Sequence, residues 1–480
     1  MEKIKKVLFM VAIIVALVMS SCAHKHKNYI PADSKVVGKL DIKEFFSQSG
    51  IEKEKLMEDL SEAFADEMDK ISIEDCGLDL TEPVYFFANL RGDKISGGAI
   101  IKVEDSKMAK DWIEDNFKTE FDSEGDFDLI AKHDQAIGIN DDVLVCLFID
   151  GSDSDAKRAL KKVMRQDSSG KLGDNEVFKK MEDSNGFACL YADMSIIPSE
   201  LVSSRDMSRK LKSKISDFRK MTLGVDASYK DEICDFNLSV STDDEKAQKQ
   251  IDKTQKIFDK ISDKAVGMLS KESFFGLLTN IKGSACADFV EELSEAFGDS
   301  APKEVLELIE KIDGDFVMCG EDPSSIPFLP RSYGSKMGDL YFVIESKDVS
   351  DEIVDFFGGV SDNAGDSVGV SDDYYPYYSR PSLKETSNGY CYNNNFWFGY
   401  DNNAMWFTNT DRELVPFKDA SNPIPAALAD FIKDHSFVCY FNVWGVKKLK
   451  SEMSSSDKRL LEAFSEFFDK TKYITISSNG

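Results

Sequence analysis

Ala136 to Val145 reads AIGINDDVLV, and Trp397 to Trp406 reads WFGYDNNAMW. Aligned without a gap, the two stretches place Gly138 on Gly399. The polar triplet Asn140, Asp141, Asp142 falls on Asp401, Asn402, Asn403, and apolar runs fall on apolar runs. Each reads as strand, tight polar turn, strand, because Asn and Asp tolerate turn conformations while β-branched and aromatic residues suit a pleated surface. Two copies of one unit imply a tandem duplication.

Working outward, further pairs appear in the same order. Leu340 to Val354, LYFVIESKDVSDEIV, lies on Ala99 to Ile113, AIIKVEDSKMAKDWI, each a strand followed by a helix. Ser436 to Trp444, SFVCYFNVW, lies on Gly186 to Met194, GFACLYADM, and sets Cys439 on Cys189. Between the matched elements the loops differ in length, as they do in duplicated domains. Alternation predicts strands over 35–42, 84–90, 98–103, 127–132, 186–192, 221–227 and 233–241. Helical spacing predicts helices over 43–70, 106–117, 153–165 and 244–269, and in the second half over 286–297 and 302–312. Strands in hairpins interrupted by helices suit an antiparallel sheet covered by helices. The expected fold class is α+β, with two tandem related domains over 34–270 and 271–480. The second copy reaches Gly480 before the strand and long helix that close the first.

The first 21 residues read as an export signal: Lys3, Lys5 and Lys6 precede an apolar run from Val7 to Met19 that is too short to span a bilayer comfortably. Met19-Ser20-Ser21-Cys22 resembles the lipobox of bacterial lipoproteins, with Met19 where leucine is usual. The expectation is cleavage before Cys22 and its lipidation, followed by a tether over 22–33. Each buried methylene adds about 0.8 kcal/mol, so more than one acyl chain gives stable membrane residence. His24 and His26 form an H-x-H pair, but without a third ligand they read as part of a solvated tail.

A chain with 87 acidic and 59 basic residues and a net charge of -28 does not suit a nucleic-acid partner. Its acidity reads as a solubility device. None of the cysteines after Cys22 forms a C-x-x-C pair. Cys146, Cys189, Cys234, Cys319 and Cys439 lie in or beside apolar strand runs, so buried free thiols are favoured over a disulfide framework.

Chemistry-bearing patterns are sparse. Asp150 to Asp155, DGSDSD, lacks the residue order of a calcium loop and reads as a helix N-cap. Beyond the N-terminal segment only His133 and His435 remain, at non-equivalent places in the two copies. No zinc-protease helix or phosphate loop is present. The expectation is a non-catalytic protein without cofactor or metal. One stretch stands apart: residues 359–388 interrupt the second copy, and Tyr374, Tyr375, Tyr377 and Tyr378 crowd around Pro376. With Trp397 and Trp406 nearby, these rings are a candidate contact surface for a peptide, protein or glycan, since aromatic side chains give large contact area at low entropy cost. A long surface insertion is the competing reading.

Taken together, the lipobox, the opening IPADSKVVGKLDIKEFF, the segment CGLDLTEPVYFF and the duplication resemble a family of Gram-negative envelope lipoproteins whose duplicated domain has no assigned function. The resemblance implies an envelope location with the membrane as partner through Cys22. It carries over no catalytic residue. The tether lacks the acidic run of surface-exported lipoproteins, which points to the outer membrane facing the periplasm, with the cell surface as the alternative. The expected role is binding or scaffolding, set against glycan or peptide capture and against a hydrolase with an unrecognised site.

Overall fold

Both polar triplets turn the chain, but by different means. Asn140 Oδ1 accepts from the N–H groups of Asp142 and Val143, each at 2.9 Å. In the second stretch Asp401 pairs with Ala404 across two residues, Asn402 and Asn403, whose φ values of 50° and 59° are left-handed. That two-residue turn matches the twist of its flanking strands.

The computed structural model describes residues 25–52, 76–79, 81–91, 94–166, 172–199, 208–298, 300–325, 338–349, 351–352, 354, 383–386, 389–392, 395–410, 415–448, 458 and 465–479. These residues form two compact units. The first takes those within 1–207, 212–248 and 450–472, and the second those within 208–211, 249–449 and 473–480. The division near 248 precedes the 270/271 boundary that the sequence predicts. The helix expected over 244–269 ends at Gln255, and Phe258 and Asp259 then pair with Ile281 and Asn280, which draws the following chain into the second unit.

In the first unit the longer strands are β1 (Val36–Leu40), β2 (Val84–Arg91), β3 (Lys94–Val103), β4 (Asp128–Lys132), β5 (Gln135–Ile139), β6 (Val143–Ile149), β7 (Ala188–Asp193), β8 (Thr222–Lys230) and β9 (Ile233–Ser241). They lie in the order β9, β8, β7, β1, β2, β3, β6, β5, β4, with every neighbouring pair antiparallel. Helix α1 (Ile42–Ser49) starts at Asp41, whose carboxylate accepts from the Glu44 N–H at 2.9 Å. It stops at Gly50, where φ is 63°. Helix α1 therefore stops within the span predicted over 43–70, and residues 53–70 of that span lie outside the described residues. Helix α2 (Ser106–Phe117) starts from Asp105. In DGSDSD, Ser152 and Asp155 cap each other reciprocally at the head of α3 (Asp153–Met164), and α4 (Glu176–Asp183) starts from Asn175. Helices α5 (Arg209–Phe218) and α6 (Glu245–Gln255) flank the β8–β9 hairpin in sequence.

Helices α3 and α4 cover one sheet face, burying Val37, Tyr85, Ile100 and Val145 with Leu160 and Met181. Helices α1 and α2 cover part of the other, burying Val84, Ile101 and Leu144 with Phe46 and Ile113. The chain also packs earlier than the tether expected over 22–33 suggests. Lys25–Tyr29 form a short helix, Ile30 is fully buried, and His26 is buried with a ring nitrogen 2.8 Å from the Pro83 carbonyl oxygen. A solvated-tail reading of His26 is thus corrected: its imidazole packs 5.1 Å from the Tyr85 ring.

The second unit contains α7 (Gly283–Phe297), α8 (Lys303–Lys311) and α9 (Ala426–Lys433), with strands β10 (Phe275–Lys282), β11 (Ile312–Gly320), β12 (Leu340–Ser346), β13 (Gly389–Tyr392), β14 (Phe396–Asp401), β15 (Ala404–Thr408), β16 (Phe437–Asn442) and β17 (Tyr473–Ser478). Its sheet order is β17, β16, β10, β11, β12, β15, β14, β13, again antiparallel throughout. Helix α10 (Ser465–Lys470) belongs to the first unit. Antiparallel sheets bearing helices on their faces make the fold α+β.

Candidate functional site

On an antiparallel sheet, residues paired directly across strands point to the same side. In the first unit one such row crosses seven strands from β6 to β9: Phe148, Gly97, Ala88, Val36, Ala192, Leu223, Val240. The next row on the same face is Cys146, Ala99, Phe86, Gly38, Leu190, Val225, Leu238. Every position in both rows is apolar or glycine. A Cβ at Gly38 would stand 2.9 Å from the Cys189 carbonyl oxygen, so the floor at that point admits no side chain without displacement. Cys146 behaves as part of this apolar surface, since burial pushes its thiol up to about 12 and keeps it protonated.

Helices α1 and α2 cover only one end of this face. At the other, Leu190 is 46% exposed, Leu238 41%, Phe148 and Phe236 37% and Leu223 36%. The opposite side of the β8–β9 hairpin carries polar residues such as Asp226, Asn237 and Ser239. There Asp226 accepts from the Tyr191 hydroxyl at 2.6 Å and from the Ser184 hydroxyl. Around Leu223, Phe236 and Leu238 the hairpin therefore presents apolar side chains outward. Exposed aliphatic and aromatic groups gathered on one sheet face make this patch the candidate site.

The second unit has a matching row: Tyr390, Phe398, Phe407, Phe342, Met318, Leu277, Cys439, Ile476. Phe342 and Phe407 stack with centroids 4.4 Å apart, and Tyr390 stacks on Phe398 at 5.5 Å. Val349, Leu308 and Val354 pack against part of this cluster.

Of the rings that the sequence singles out, Trp406 is 3% exposed and sealed in the core, so it cannot meet a partner. It pairs with Val343 and Gly399 on the side of the sheet opposite Phe407. Trp397 is half-buried opposite Thr408. Cys22 and Tyr374, Tyr375, Tyr377 and Tyr378 lie outside the described residues. The exposed apolar rows were not singled out from sequence, although the alternation of Leu223, Val225 and Ala227 against Phe236, Leu238 and Val240 carries their signal. That alternation names the apolar side of a hairpin; it does not say whether anything covers it.

Polar chemistry lies elsewhere. A cleft of about 750 Å³ is lined by Ser34, Lys35, Lys162, Asn175, Glu176 and Asp193 among others. Much of that lining is already engaged: Lys35 Nζ is 2.6 Å from Asp193, and Asn175 donates to the carbonyls of Ala32 and Ser34 at 3.0 and 2.9 Å. Glu176 has its pKa raised, first by a hydrogen bond with Asp243 and then by burial. Among the described residues no group of three or more His, Cys, Asp or Glu side chains is arranged to hold a metal ion. Among the described residues, Cys146, Cys189, Cys234, Cys286, Cys319, Cys391 and Cys439 are free thiols, each buried or half-buried, and Cys76 is buried. No helix among the described residues is long and apolar enough to cross a membrane.

No curated protein and no solved structure matches the chain. The family described as "Domain of unknown function (DUF4836)" matches residues 26–324. With more than half of its length inside that match, the chain belongs to the DUF4836 family.

Proposed function

We propose that this is a lipid-anchored envelope protein with a non-catalytic scaffolding role, and that the open sheet face of the first unit seats an apolar surface of a protein partner. The anchor reading is supported by the basic start, the apolar run and Met19-Ser20-Ser21-Cys22. The single observation that carries the binding reading is the pair of uninterrupted apolar rows over seven strands, exposed at Leu190, Leu223 and Leu238. A glycan needs side-chain donors and acceptors to fix its hydroxyls, and those rows supply none. A protein surface with a depleted charge core suits them.

Two further proposals fit this reading. The chain is a tandem duplication, supported by eight strands recurring in one spatial order: β8, β7, β1, β2, β3, β6, β5, β4 against β17, β16, β10, β11, β12, β15, β14, β13. The protein faces the periplasm from the outer membrane, supported by the absence of an acidic run in AHKHKNYIPAD.

The test uses the lipidated, full-length protein in its native membrane. A photo-crosslinking residue replaces Phe236, which is 37% exposed, or Leu160, which is fully buried. The expected outcome is a protein adduct of defined mass from position 236 alone, lost when Leu238→Lys is added. Lipid-only adducts, or equal labelling from both positions, would sink the protein-partner reading. For the anchor, metabolic fatty-acid labelling should mark the wild type and not Cys22→Ala; persistent label would refute lipidation.

A further inference from the structure

The first unit contains a piece of chain that arrives very late. Helix α10 and the residues after it, Thr471 and Lys472, belong to this unit, yet strand β17, which begins at the next residue, belongs to the second. The late piece meets the C-terminal end of α1, where carbonyl groups of a helix lack intrahelical partners. Lys470 Nζ donates to the Gly50 carbonyl, a cation at the negative end of the helix dipole. Glu466, 5% exposed, accepts from the Glu52 N–H at 2.9 Å and pairs with Lys470 at 3.3 Å. The Phe467 ring lies 6.1 Å from that of Phe45 and packs against the cluster of Ile42, Phe46 and Ile51. At the β8–β9 turn, the Lys470 carbonyl accepts from the Tyr229 hydroxyl at 2.7 Å, and Lys472 pairs with Glu232.

The second unit shows a counterpart. Residues 208–211 belong to it, although α5, which they begin, leads toward β8 of the first unit. The Ser208 hydroxyl donates to the Ala296 carbonyl and Lys210 pairs with Glu295, both at the C-terminal end of α7. Helix α1 follows β1 as α7 follows β10. So in each unit the same helix end is finished by a segment that leads into a strand of the other.

We infer that residues 465–472 are a folding clasp: the first unit is completed only when a segment made 414 positions after Glu52 and 241 positions after Tyr229 docks on α1 and the β8–β9 turn. Before that, α1 has an unfinished C-terminus and its apolar cluster lacks Phe467. Residues 208–211 perform the reciprocal closure. The consequence is that α1 and the β8–β9 turn reach their full protection only once residues 465–472 have been made and docked.

Two measurements on the full-length chain test this. Zero-length carbodiimide coupling captures pre-existing amine–carboxylate pairs, and should link Lys472 to Glu232 and Lys210 to Glu295. Hydrogen exchange should then show residues 42–51 and 229–232 exchanging about tenfold faster or more in Phe467→Asp, with residues 312–320 unchanged. Should Phe467→Asp fail to fold, Lys470→Met provides the same readout. Absence of both couplings in the folded chain would overturn the clasp. So would a folded variant in which α1 keeps its wild-type protection.

Discussion

Leu144 and Leu238 are both leucines on the same side of one sheet, and their fates differ by what lies above them. Leu144 is 2% exposed under α1 and α2, whereas Leu238 faces outward. Leu144→Ala removes buried methyl groups from a covered cluster and should cost about 2–5 kcal/mol. Leu238→Lys places a long, solvated side chain where none is buried and should change stability by no more than about 0.5 kcal/mol. It should also reduce the binding of an environment-sensitive apolar dye to the folded protein. Urea unfolding and dye titration separate the two. If Leu238→Lys were as destabilising as Leu144→Ala, the face would be covered in solution and its assignment as a docking surface would fail.

At the scale of elements, the two hairpins that look alike in sequence rest on different physics. The first loop depends on a side chain, because Asn140 Oδ1 takes two backbone N–H groups. Asn140→Ala should therefore cost about 0.5–1.5 kcal/mol, and Asn140→Gly should not restore it. The second loop depends on backbone conformation, since Asn403 sits at φ 59°. There Asn403→Gly should be neutral or slightly stabilising, while Asn403→Val should cost about 1–2 kcal/mol. Equal penalties for the two Gly variants in thermal melts would contradict this division. Elsewhere, α2 spans 106–117, as its sequence pattern predicts, because Asp105 caps it and helical spacing of Ala109 and Ile113 meets the sheet. The helix predicted from 244 ran too long because a polar, strongly helix-forming stretch carries no stop signal at Gln255. Its end is set by Phe258 and Asp259 pairing with β10, a partner distant in sequence.

At the scale of the whole molecule, the dominant sequence-level fact is the net charge of -28. Like charges spread over a folded chain repel one another more than in an expanded one. Raising salt from low ionic strength to about 0.15 M shortens the screening length to about 8 Å. The melting temperature should accordingly rise with sodium chloride. A fall would mean that attractive surface pairs such as Lys161–Glu124 and Lys110–Asp128 outweigh the net repulsion. The candidate site was only half legible at this scale. Aromatic density drew attention to Trp406, but pairing with Val343 and Gly399 put that ring in the core. The exposed rows are assembled from strands that begin as far apart as Val36 and Ile233, and no local window displays them together.

What the sequence determined by itself is local and periodic: the α+β class, the positions of most strands, the Asp and Ser helix caps and the polar turns of the two hairpins. These depend on side-chain alternation, helical spacing and short-range hydrogen bonds, all written within a few residues. What only the tertiary structure decided is which apolar surfaces find a cover. Leu144 is buried and Leu238 is not because α1 and α2 reach one end of the face and stop short of the other. Phe467 completes a cluster with Phe45 because chain topology, not sequence proximity, brings them together. Burial is a property of what arrives from elsewhere in the chain, and alternation within a strand can name the apolar side without saying what, if anything, will meet it.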